Sequence, residues 1–149
     1  MGRRRSAGGH SGDSRRYADW INAAYDDLRA ARTLAEDNTL NNVTAFHCQQ
    51  CVEKALKGFI LYRSGSSADG HNLTWLCRRA VSLDPGFSQW MDESVGLNRY
   101  YIETRYPTDI PTEIEDDRIP VLLSMTSSLF GYVSDQLKLT DQLELWEAY

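Results

Sequence analysis

A chain of 149 residues has room for one domain of ordinary size, which buries roughly two-thirds of the surface its unfolded form exposes, so neither a metal nor a disulfide staple is required. With 42% hydrophobic and 25% charged residues, and no apolar run near the ~20 residues that span a bilayer, the composition predicts a soluble globular protein without a membrane helix. Charge is unevenly spread: residues 1–16 carry five Arg against one Asp, and the remainder carries 11 Lys plus Arg against 20 Asp plus Glu. A body that acidic repels a phosphate backbone, which argues against DNA as a partner and leaves any RNA contact to a local basic patch or to the arm.

Residues 1–16 are rich in Gly, Ser and Arg, offer little to bury, and are expected to be a disordered basic arm, either inert or steering toward RNA. No apolar stretch follows this arm, so it does not read as a secretory signal, and the cytoplasm is the expected compartment. From Tyr17, apolar residues recur every three or four positions at Trp20, Ala24, Leu28, Ala31, Leu34 and Ala35, which predicts a first helix over about 15–37 capped by Asp13 or Ser14. Asn41 or Asn42 is placed to cap a second helix running to about Tyr62, with Val43, Phe46, Val52, Ala55, Leu56, Phe59 and Ile60 as its buried stripe. Arg63, Ser64 and Gly65 end it, Gly65 as the left-handed C-terminal residue.

A polar loop leads to a short third helix, Asn72 to Ser82, with Leu73, Leu76 and Ala80 on its core face, and Asp84-Pro85-Gly86 then signals a turn. A fourth helix is expected over about Ser88 to Thr104, carrying Met91, Val95, Asn98 and Ile102 on one face and stopping before Pro107. Tyr106 to Asp117 reads as a loop. The last helix begins near Asp117, takes Pro120 in its first turn, and runs through Leu122, Met125, Leu129 and Val133 to about Leu137. The extension 138–149 packs on its own bundle or on a neighbouring copy. The expected fold is all-α, an up-and-down four-helix bundle over 17–137 with one additional short helix.

Gln49, Gln50, Glu53, Lys54 and Lys57 form a polar stripe on the second helix, where Glu53 with Lys57 and Gln50 with Lys54 are spaced to pair along a solvated face. Cys48 and Cys51, with His47 and His71, lack a second pair at zinc-ligand spacing and read as packed thiols, so no metal and no cofactor are expected.

Three segments carry a resemblance: Phe46 followed by Gln50-Cys51-Val52-Glu53-Lys54-Ala55-Leu56-Lys57, then His71-Asn72-Leu73, then Tyr101-Ile102-Glu103-Thr104-Arg105-Tyr106-Pro107. In this order the chain resembles the HEPN family of nucleotide-associated helical bundles, whose members are often dimeric, often encoded beside a minimal nucleotidyltransferase, and in many cases metal-independent ribonucleases. The resemblance implies an Arg-x4-6-His motif for the ribonucleases, in which His relays a proton and Arg holds the phosphate. Here Arg99 is followed by Thr104 where that His would stand, and a Thr hydroxyl does not titrate near neutral pH. The implied type is the non-ribonuclease one, and no catalytic residue is assigned.

The expected function is a nucleotide- or phosphate-binding module, partner of a nucleotidyltransferase in a toxin-antitoxin-like pair. Its groove would be lined by Gln50, Glu53, Lys54, His71, Arg99, Arg105 and Tyr106. Arg105 either holds a phosphate at a helix C-terminus or pairs with a buried acid, and His71 either binds ligand or starts the third helix. Two alternatives stand beside this reading: a ribonuclease with a rearranged site, and a non-catalytic dimeric scaffold.

Overall fold

The computed structural model describes residues 12–103, 107 and 113–137, the side chains of 102 and 103 excepted, and every regular element among them is helical. Helix α1 (Tyr17–Leu34) lies along α2 (Asn41–Ser64), and theirs is the most extensive contact in the bundle. Gly58 sits where the two helices cross: a Cβ there would lie 2.7 Å from Ile21 Cδ1 and 3.2 Å from Trp20 Cβ, so glycine permits the close approach. Helix α2 ends as expected, with Gly65 at φ 71° donating its N–H to Leu61 O at 2.9 Å.

Both expected N-terminal caps differ. Helix α1 starts one residue beyond Arg16 without a side-chain cap; Ser14 instead accepts from Arg16 N at 3.0 Å and donates to Asp19 at 2.7 Å, bracing the entry to the helix. A 3-10 turn at Asn38–Leu40, capped by Asp37, leads into α2. Asn41 is therefore already helical, and its amide reaches Ile114 O at 3.0 Å and Asp116 at 2.7 Å, tying α2 to the segment before the last helix.

Helix α3 (Leu73–Leu83) is capped by Asn72, whose side chain accepts from Trp75 N at 3.0 Å. The long fourth helix expected over 88–104 is three pieces: a 3-10 turn (Pro85–Trp90), α4 (Met91–Asn98) and α5 (Tyr100–Glu103). Asp84 accepts from Gly86 N at 3.0 Å and Pro85 opens the turn, which drives Phe87 into the core against Phe59 with ring centroids 4.3 Å apart. The register of α4 consequently buries Ser94 and Leu97 and leaves Val95 exposed, contrary to the face read from periodicity. Helix α6 (Arg118–Gln136) takes Pro120 in its first turn and buries Leu122, Leu129 and Val133 as expected.

Helix α2 is the axis of the bundle: α1, α3, α4, α5 and α6 all pack on it, and 15 of its 24 residues are buried. Its polar stripe is therefore not a solvated face. Gln49, Glu53 and Lys57 are buried, while Val43, expected inside, is exposed. Among the described residues no helix is long and apolar enough to cross a membrane.

Candidate ligand groove

The buried polar residues of α2 are held by one another and by neighbouring elements. Glu53 is 3% exposed, a position where an unpaired carboxylate would be very costly. It accepts from His71 Nδ1 at 3.0 and 3.1 Å and from Gln49 Nε2 at 3.3 Å, and it faces Lys57 Nζ at 3.6 Å, the i to i+4 pair expected from the sequence. Lys57 also lies over the Trp20 ring, 5.5 Å from its centroid.

A carboxylate only accepts, so the Nδ1 of His71 carries the hydrogen, and Nε2 is the nitrogen left for a further partner. The ring stacks on Tyr101 of α5, centroids 4.4 Å apart and planes 14° from parallel. Asn98 Oδ1 accepts from Leu73 N at 2.7 Å, which fixes the start of α3, and hence His71, against the end of α4. The segments 45–57 and 97–103 thus meet through Glu53, His71 and Tyr101.

The other residues expected in the groove are distributed differently. Gln50 is half-buried and donates to Gln49 Oε1 at 2.7 Å. Lys54 does not pair with Gln50; it bonds Asp27 of α1 at 2.6 Å, and Asp27 also bonds His47 Nδ1 at 2.8 Å. Arg99 turns toward Tyr100, 2.9 Å from its hydroxyl, and lines a depression of about 220 Å³ with residues from Glu113 to Arg118. The structure thus places Arg99 with the segment before α6 and not with the contacts of Glu53. Arg105, Tyr106 and Thr104 lie outside the described residues. Sequence reasoning placed Gln49 and Lys57 on the polar stripe and Tyr101 in the motif without giving them to the groove, and it missed Asp27; a polar residue inside an otherwise apolar helical stripe, as at Asp27, was the available signal.

Cys48, Cys51 and Cys77 are buried free thiols. Burial pushes the Cys48 thiol from the ordinary 9.0 up to about 11 and raises Cys51 well above its usual value. Native protein at pH 8 is expected to resist a thiol reagent such as DTNB, and to yield all three cysteines on unfolding in urea; fast labelling of the folded protein would contradict the packing. The folded state holds the Cys48 proton more tightly than the unfolded chain does. That contribution is therefore whole below 9.0 and is lost as pH rises toward about 11. The full shift corresponds to roughly 3 kcal/mol. Urea midpoints should be flat from pH 7 to 8 and fall above 9. Among the described residues, no group of three or more His, Cys, Asp or Glu is placed to hold a metal.

The HEPN domain model matches residues 17–136. The chain belongs to the HEPN domain family. Among solved structures it is similar to TT1696 from Thermus thermophilus, with 26% identity, 82% of this chain and 98% of that one covered, and a TM-score of 0.67. It is also similar to ST0689, described as an archaeal HEPN homologue, with 24% identity, 81% and 97% coverage, and a TM-score of 0.64. Both neighbours share the fold seen here. No curated protein matches the chain.

Proposed function

We propose that this HEPN module binds a nucleotide or another small phosphate-bearing ligand on the polar side of α2. It acts as the partner of a minimal nucleotidyltransferase, as a cytoplasmic homodimer in a toxin-antitoxin-like pair, without the family-type ribonuclease activity. The observation that carries the ligand reading is the chain Glu53, His71, Tyr101. A buried carboxylate orients an imidazole, the imidazole stacks on an aromatic ring from α5, and its side chain keeps 49% of its surface exposed for a ligand. Gln50 lies beside this pair on α2, and Arg105 and Tyr106 complete the proposed set; Lys54, held by Asp27, and Arg99, turned toward the segment before α6, stand apart from it.

Calorimetric titration with ATP, other nucleotides and short RNA tests the reading. Saturable heat, weakened in His71→Ala, is expected, and no heat at millimolar ligand removes the binding claim. A nucleotidyltransferase reading frame beside this one, whose product co-elutes with the protein, is the expected outcome for the partner. Its absence favours the dimeric scaffold.

The orientation of His71 by Glu53 favours one second reading, a ribonuclease with a rearranged site, because a base held by an orienting carboxylate is the arrangement that proton transfer requires. Incubation with RNA separates the two: cleavage that is lost in Arg105→Ala would replace the binding reading with the enzymatic one.

A further inference from the structure

A second cluster sits between α1 and α2, and the His71 groove does not use it. Asp27 is only 8% exposed, and its two carboxylate oxygens divide between two side chains of α2: Oδ1 to His47 Nδ1 at 2.8 Å and Oδ2 to Lys54 Nζ at 2.6 Å. His47 and Lys54 stand seven residues apart, about two helical turns, so they share a face, and the common carboxylate draws their heads together. Their side chains remain 27% and 28% exposed. A buried anion therefore anchors two partly exposed side chains that share one face of α2.

The valences these heads retain are complementary. A carboxylate accepts only, so His47 Nδ1 carries the hydrogen, and Nε2 accepts when the ring is neutral and donates when it is protonated. An ammonium has three donors, and Asp27 takes one of them. With a neutral imidazole the carboxylate and ammonium charges cancel; with a protonated one the cluster is cationic.

An arriving anion selects the second state, and a phosphomonoester suits it best. Its oxygens accept from Lys54 Nζ and from a protonated Nε2, and the proton that a monoanionic phosphate keeps can be donated to a neutral Nε2. The depression of about 420 Å³ lined by Glu113, Glu115, Asp116 and Asp117 has the opposite sign and would repel the same group.

We infer that Asp27, His47 and Lys54 form a binding site for a phosphate group carried by a small phosphomonoester, with His47 and Lys54 touching the ligand and Asp27 positioning them. The inference deepens the ligand reading above, since it takes that ligand class and says where the phosphate sits, but its location does not depend on the His71 groove.

Calorimetric titration of the full chain with inorganic phosphate, adenosine monophosphate and adenosine tests it. Phosphate and the monophosphate are expected to bind, and adenosine is expected to show no dependence on His47 or Lys54. His47→Asn and Lys54→Met should each weaken phosphate roughly tenfold or more, the scale of one hydrogen bond to a charged group. His71→Ala, read on the monophosphate, reports on the groove separately. Both test positions are partly exposed, and His47→Asn keeps the Asp27 to Lys54 pair, so a folded variant is available even if Lys54→Met is not.

Phosphate that gives no heat at millimolar concentration, or that binds equally well to both variants, overturns the inference. Should the monophosphate depend on His71 while phosphate alone is silent, the groove reading stands and this one falls. Should phosphate depend on His47 and Lys54 while the monophosphate ignores His71→Ala, this one stands and the groove reading falls.

Discussion

Replacing Glu53 with alanine is expected to cost about 3–5 kcal/mol of stability, because it strands a buried cation. Lys57 is 7% exposed, and Glu53 is the carboxylate that faces it, at 3.6 Å. Its contact with the Trp20 ring offsets only a part of the loss, on the order of 1 kcal/mol. The same substitution frees His71, whose Nδ1 is held by both Glu53 oxygens. The double variant Glu53→Ala with Lys57→Met should therefore recover much of the lost stability without recovering ligand binding. Urea midpoints of the three proteins check this: near-equal destabilisation of single and double variants would mean that losing Glu53 does not strand Lys57.

Phe59→Ala is expected to be of similar size, about 3–5 kcal/mol, for a different reason. Phe59 is fully buried on the central helix, and Phe87 is tilted against it at 4.3 Å. Removing the ring opens a cavity at the point where the 3-10 turn Pro85–Trp90 is anchored to α2. For a domain of this size the loss corresponds to a fall in melting temperature of roughly 10–20 °C. A change under about 1 kcal/mol would place Phe87 and its turn outside the cooperative core.

Element existence was readable where local chemistry and packing agree. Gly65 ends α2 because a left-handed residue is needed there, and Pro120 fits the first turn of α6; each is a property of the residue itself. The fourth helix was misjudged because helical spacing from Met91 onward is real, while the 3-10 turn before it depends on Phe87 finding Phe59 across the fold. Periodicity reports which residues share a face, not what that face meets.

That limit also governed the site. The stripe Gln49, Glu53 and Lys57 has the pattern of a solvated surface, and only the arrival of His71, Trp20 and Tyr101 from three other segments turns it into a buried network. The partners of Asp27 could not be read in the same way, since His47 and Lys54 are 20 and 27 residues away. Arg99 is at the right place in sequence but turns to the segment before α6, a choice made by tertiary packing. Family membership came through because the motif order survives in one dimension, with the match over 17–136 following it.

Residue-resolved NMR during titration with adenosine monophosphate tests the ligand face most directly. Progressive, saturable shifts at residues 46–54 of α2, at His71 and at Tyr101 are the predicted result. Shifts confined to 113–118, or spectra that stay unchanged at millimolar ligand, would contradict a ligand face on α2.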